Sequence, residues 1–166
     1  MKFLTFCCMV MLLGCQPKDT TVTSNGKVLL GEQAGSEFVI AAGDEDEKMM
    51  ETIEAFNNMD MDGLWEHMAD TVTFHMADGF EGPFTKEMMA GFMAEADSVQ
   101  WEVMSIIPVQ AKGSNSVRVL LDSHEKIYMK DGSVVDKKLF EEFIFEEGTV
   151  VKIRQWDAAT AMEGSE

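Results

Sequence analysis

The strongest constraint on this fold lies in the C-terminal half, where four long, β-rich stretches follow one another with tight turns between them. Residues 99–107, 116–129, 134–146 and 149–157 read as strands. Asp131-Gly132 is a two-residue hairpin signal, and Glu147-Gly148 marks the next turn. Strands joined this way pair antiparallel, so this half of the chain predicts a meander.

The residues before it read mainly as helix. Asp44-Glu45-Asp46-Glu47 opens a first helix: Asp44 is placed to cap free N–H groups, and the acids suit the positive end of the helix dipole. Met49, Met50, Ile53 and Phe56 follow at helical spacing, and Asn57-Asn58-Met59-Asp60 breaks the pattern. Leu64, Trp65 and Met68 give a short second helix over 61–69, and Thr71–Met76 alternates as a strand. Gly79 and Gly82-Pro83 read as turn chemistry. Thr85 caps a third helix over 86–97, whose stripe is Met88, Met89, Phe92, Met93 and Ala96. Helices gathered on one face of an antiparallel sheet make an α+β domain.

The N-terminus carries a different kind of signal. Lys2 precedes an apolar run from Phe3 to Leu13, too short to span a hydrocarbon core of about 30 Å. Leu12-Leu13-Gly14-Cys15 resembles the bacterial lipobox, which implies cleavage before Cys15 and acylation of that cysteine. The organisation expected is a signal peptide over 1–14, a lipidated Cys15 with a flexible tether over 15–43, one domain over 44–160 and a tail over 161–166. Phe38-Val39-Ile40 reads either as a lead-in strand or as a strap. Cys7 and Cys8 would leave with the signal, so the mature domain would have no thiol nucleophile, disulfide or cysteine metal ligand.

The formal charge is −17. Loss of residues 1–14 removes one lysine and no acid, leaving −18 on the mature chain. Nothing in such a chain neutralises phosphates, so nucleic acid is not an expected partner, and an anionic membrane would repel the domain. Membrane attachment is therefore expected through the lipid alone.

Two segments carry a family resemblance. Ala55-Phe56-Asn57-Asn58-Met59-Asp60-Met61-Asp62-Gly63-Leu64, followed by Met68-Ala69-Asp70-Thr71-Val72-Thr73-Phe74, resembles the opening of the nuclear transport factor 2-like superfamily. The stretch Phe143–Arg154 with Trp156-Asp157 resembles its last hairpin. The resemblance covers about residues 44–158 and implies a cone: a strongly curved antiparallel sheet with three helices in its concavity and an apolar pocket at the open end. That superfamily includes ketosteroid isomerases, SnoaL-like polyketide cyclases, dehydratases, epoxide hydrolases and non-catalytic binding modules, so fold alone does not decide function.

By this resemblance His75 ends the strand where ketosteroid isomerases place a proton-moving carboxylate, and histidine can act as acid or base near neutrality. Thr71 and Thr73 share its side of the strand, the pattern of a solvated face. Glu141 alternates with Leu139, Phe143 and Phe145 and so falls on an apolar face, where desolvation raises a carboxyl pKa. The pair His75 and Glu141 is the expected catalytic set. Phe56, Trp65, Trp101, Phe143, Gln155 and Asp157 are the expected pocket lining, and Trp156, on the opposite strand face, is expected at an interface. Thr52 stands where the isomerases carry a tyrosine, so one of their oxyanion donors is missing and steroid isomerisation is not expected. Of 15 methionines, 12 remain after processing, a pliable lining for a core or pocket. His67, His75 and His124, the last with Asp122 two residues before it, follow no ligand spacing, so no metal site and no cofactor is expected. The overall expectation is a cell-envelope lipoprotein, homodimeric, binding a small apolar molecule with or without acid–base chemistry; the alternative is a non-catalytic interaction module.

Overall fold

The computed structural model describes residues 26–29, 33–76 and 79–158, so Cys15, the lipobox and the tail lie outside the described residues. The elements run β1 (Phe38–Ile40), α1 (Glu45–Asn57), α2 (Met61–Trp65), β2 (Met68–His75), β3 (Glu81–Thr85), α3 (Lys86–Glu95), β4 (Ala96–Ala111), β5 (Ser116–Met129), β6 (Val134–Glu146) and β7 (Thr149–Ala158). This is an α+β fold with one open seven-stranded sheet in the order β1-β4-β5-β6-β7-β2-β3.

The meander β4-β5-β6-β7 is antiparallel throughout, as its turns require. The hairpin at Asp131-Gly132 is one residue longer than expected. The Met129 N–H donates to the Ser133 carbonyl at 2.9 Å, leaving residues 130–132 as the loop with Gly132 at φ 88°. A three-residue loop ending in a left-handed residue is the next commonest hairpin, and glycine adopts that conformation without steric cost.

Other elements correct the reading from sequence. The sheet is mixed: β2 pairs in parallel with β7, because a strand pattern reveals neither partner nor direction. Gly82-Pro83 lies inside a strand, β3, paired with β2. As the sheet's edge strand, β3 tolerates a residue with no N–H to offer. The second helix is only five residues long, capped by Asp60, whose side chain accepts from the N–H groups of Asp62 and Gly63. Asp44 makes no side-chain cap; it pairs with Lys48 at 2.8 Å instead. Thr85 does cap α3, accepting from the Met88 N–H. Within the segment read as tether, Phe38–Ile40 takes the strand alternative and pairs with β4.

Met49, Ile53 and Phe56 of α1 and Leu64 of α2 pack against Val119, Leu121, Phe143 and Phe145 on the inner face of the sheet. Met50 falls outside this face and is exposed. Asn57 fixes the end of α1 to β4: its Nδ2 donates to the Trp101 carbonyl at 3.1 Å, and its Oδ1 accepts from the Trp101 N–H at 2.6 Å. Helix and sheet thus meet at the residue that forms one wall of the site.

Candidate functional site

Between the helices and the sheet lies a cavity of about 500 Å³. Alpha-helical residues Thr52, Phe56, Leu64, Trp65 and Met89 line one side. The sheet contributes Trp101, Ile127, Phe143 and Ile153, with the polar side chains of Glu125, Lys137, Glu141 and Gln155 among them. Phe80, Met88 and Phe92 line the cavity yet are 47%, 49% and 39% exposed, which marks its mouth. The rings interlock: Phe56 meets Trp101 edge-on at 5.4 Å, and Trp101 lies 6.1 Å from Phe143.

Glu141 is the most unusual polar group in this lining, at 3% exposure. Strand parity puts it there, between the buried Leu139 and Phe143. Ser123 Oγ donates to its Oε2 at 3.0 Å, and Gln155 Nε2 donates to its Oε1 at 3.1 Å. Among the described residues no cation pairs with it; its partners are Ser123 and Gln155. Burial pushes its pKa up to about 7, while Gln155, Ser123 and Trp101 pull the other way and the charge of Glu125 adds to the rise. The Trp101 indole N–H is near enough to favour the carboxylate but makes no hydrogen bond, and Nε1 is buried without a partner. Glu125 is also raised by burial; Lys137 opposes the shift and Asp157 adds to it.

The expected lining residues Phe56, Trp65, Trp101, Phe143 and Gln155 all reach the cavity. Asp157 does not: it stands at the strand end, 3.4 Å from Lys137 Nζ. His75 and Glu141 are not brought together. Phe74 and Met76 take the cavity side of their segment, so parity turns His75 away, where its Nε2 lies 3.4 Å from Glu81. Thr52 lines the cavity, but its hydroxyl donates to the Lys48 carbonyl within the helix. His124 pairs with Asp136 at 2.6 Å and His67 with Glu51 at 2.8 Å. Among the described residues no group of three or more His, Cys, Asp or Glu side chains is arranged to hold a metal.

Sequence reasoning missed Ser123, Glu125 and Lys137. The signal was present, because Leu121, Ser123, Glu125 and Ile127 alternate on one face of β5 as Leu139, Glu141 and Phe143 do on β6. Ser123 and Glu125 are the two polar residues between apolar ones on that face.

The fold is the nuclear transport factor 2-like fold. Similar solved structures include a nuclear transport factor 2-like protein of unknown function from Burkholderia pseudomallei, with 16% identity, 70% of this chain and 92% of that one covered, and TM-score 0.52. An LEH-like epoxide hydrolase of M. tuberculosis matches with 11% identity, 69% and 83% coverage and TM-score 0.54. TerC, co-crystallised with polyporic acid, matches with 13% identity, 70% and 92% coverage and TM-score 0.52. No protein-family model and no curated protein matches the sequence.

Proposed function

We propose that this protein is a lipid-anchored component of the cell envelope whose cone binds a small, largely apolar molecule against Glu141. The observation that carries the reading is a carboxyl 3% exposed on the wall of a cavity of about 500 Å³ lined mostly by aromatic, methionine and aliphatic side chains. Ligand pockets have this composition: mostly apolar, with a few convergent polar groups that fix orientation. The ligand complex of TerC lends the reading support by likeness of fold. Anchoring rests on Leu12-Leu13-Gly14-Cys15.

In this reading Glu141 is the cavity group suited to exchange a proton with a bound molecule, its pKa of about 7 lying in the range useful to an acid or base. His75, outside the lining, has no part in it. The test is titration of the domain with phenylcyclohexane, followed by Trp fluorescence. Saturable binding that Met89→Trp weakens at least tenfold, by filling the cavity, supports the reading. Absence of binding, or binding that ignores the substitution, contradicts it.

A second reading, a homodimer or partner surface on the outer sheet face, is favoured by one observation. Phe140 and Trp156 stack at 5.9 Å and are 48% and 44% exposed. Sedimentation of wild type and Trp156→Glu decides it: a dimer that becomes monomeric supports this surface, and a wild-type monomer contradicts it.

A further inference from the structure

We infer that the bound molecule carries an amine, whose ammonium group pairs with Glu125 on the cavity wall. The inference rests on the ligand-binding reading above and narrows its chemical class.

Glu125 stands on the inner face of β5, directly across from Trp101 on β4 and from Lys137 on β6. All three line the cavity. Its carboxyl differs from that of Glu141 in one respect. Glu141 is held by Ser123 and Gln155, whereas Glu125 takes no hydrogen bond and no ion pair among the described residues. Nor are its oxygens sealed away, as the indole nitrogen of Trp101 is. The residue is half-buried, and burial raises its pKa, so the carboxyl has lost part of its water without gaining a partner.

The neighbouring lysine does not fill that role. Lys137 stands opposite Glu125, yet its Nζ lies 3.4 Å from Asp157, and it acts on Glu125 only through its charge. One lysine therefore stands against three carboxyls, those of Glu125, Glu141 and Asp157. Asp157 adds to the rise at Glu125, and Glu125 adds to the rise at Glu141. The wall is short of positive charge.

An ammonium group supplies it. A carboxylate that has already shed water loses less on pairing than one in bulk solvent. Trp101, Phe56 and Phe143 interlock on the same wall, and aromatic faces attract cations. The formal charge of −17 draws cations toward the protein and repels anions. A carboxylic acid would meet Glu125 and Glu141 as like charges, and a hydrocarbon leaves Glu125 without a partner. The remaining lining is mostly aromatic, methionine and aliphatic, which sets the body of the ligand as apolar.

The experiment uses trans-4-phenylcyclohexylamine, phenylcyclohexane and trans-4-phenylcyclohexanecarboxylate, titrated into the folded protein at pH 8, where a primary amine is protonated. Expected is amine binding about tenfold or more tighter than the hydrocarbon, the size of one hydrogen bond to a charged group, with the carboxylate weakest. In Glu125→Gln, which keeps the shape and removes the charge, the amine-to-hydrocarbon ratio should fall at least fivefold. That ratio compares two ligands on one folded population, so partial unfolding of the variant does not mimic the result. A second measurement needs no variant: saturating amine should lower the titration midpoint of the Glu125 carboxyl in the wild type, followed by carbon-detected NMR, and the hydrocarbon should not. An unchanged ratio in Glu125→Gln overturns the inference, as does a Glu125 titration that the amine leaves in place. So does a wild-type protein that binds the hydrocarbon or the carboxylate as tightly as the amine. Failure of all three compounds to bind overturns the cavity-binding reading as well.

Discussion

Ser123 reaches diagonally from β5 to Glu141 on β6, its hydroxyl donating to Oε2 at 3.0 Å in a setting where neither residue is more than 3% exposed. This bond favours the carboxylate over the carboxylic acid, against the desolvation that favours the acid. Ser123→Ala removes the bond and leaves the burial, so the Glu141 pKa should rise above its wild-type value of about 7. Infrared titration of the carboxyl band in the two proteins reports this directly. An unchanged or lower value in Ser123→Ala would mean that the hydroxyl is not a partner of the charged form.

The same shift makes stability depend on pH, with a definite sign. The folded pKa of Glu141, about 7, lies above the ordinary 4.5, so the native state holds the proton more tightly than the unfolded chain does. Below about pH 4.5 both states are protonated and there is no penalty; the penalty grows up to about pH 7 and is constant above it, roughly 3 kcal/mol at most. Glu141→Gln has no such titration. Urea denaturation of both proteins at pH 4.5 and pH 8 should show the variant gaining on wild type by about 1–3 kcal/mol as pH rises. A difference independent of pH would contradict the burial of an ionisable group there.

On the opposite face of the sheet Glu142 bridges two arginines. Its side chain, only 7% exposed, accepts from Arg118 at 3.0 Å and from Arg154 at 2.6 Å, and the Arg118 guanidinium lies 5.8 Å from the Phe38 ring. The carboxylate ties β5 to β7 across β6, and Arg118 carries the tie to β1. The arginines are about one-third exposed, so water replaces part of what they lose. Glu142→Ala should cost about 1–3 kcal/mol in denaturant unfolding, and most of that should disappear in a background of Arg118→Ala and Arg154→Ala. Additive losses would mean that the three side chains act independently.

Membrane anchoring is tested at Cys15. The Cys15→Ala chain expressed in a bacterium should lack acyl mass and leave the membrane fraction, while wild type carries the lipid and stays with it. Equal fractionation and equal mass behaviour of the two would remove the lipoprotein assignment.

The parts of the fold that were legible in the sequence are those set by local pattern. Period-two alternation located β5, β6 and β7 to within a residue, and the same parity placed Glu141 inside. Pairing across distance was not legible. Nothing in Met68–His75 says that it lies parallel to β7, and nothing in Gly82-Pro83 says that an edge strand can pass through it. His75 stands outside the cavity lining for a related reason. The resemblance suggested a position, but the strand's own alternation, with Phe74 and Met76 inward, turned the imidazole away. Trp101 lines the cavity, and which acceptors lie near its indole N–H depends on packing in three dimensions.

Glu141 is a buried carboxyl on the wall of the cavity proposed to take apolar molecules. Carbon-detected NMR titration of the Glu141 side chain, with and without saturating phenylcyclohexane, tests it most directly. A pKa of about 7 in the free protein, rising further when the hydrocarbon displaces water from the carboxyl, is the predicted result. A pKa near 4.5 that the hydrocarbon leaves unmoved would contradict both the burial and the cavity's role.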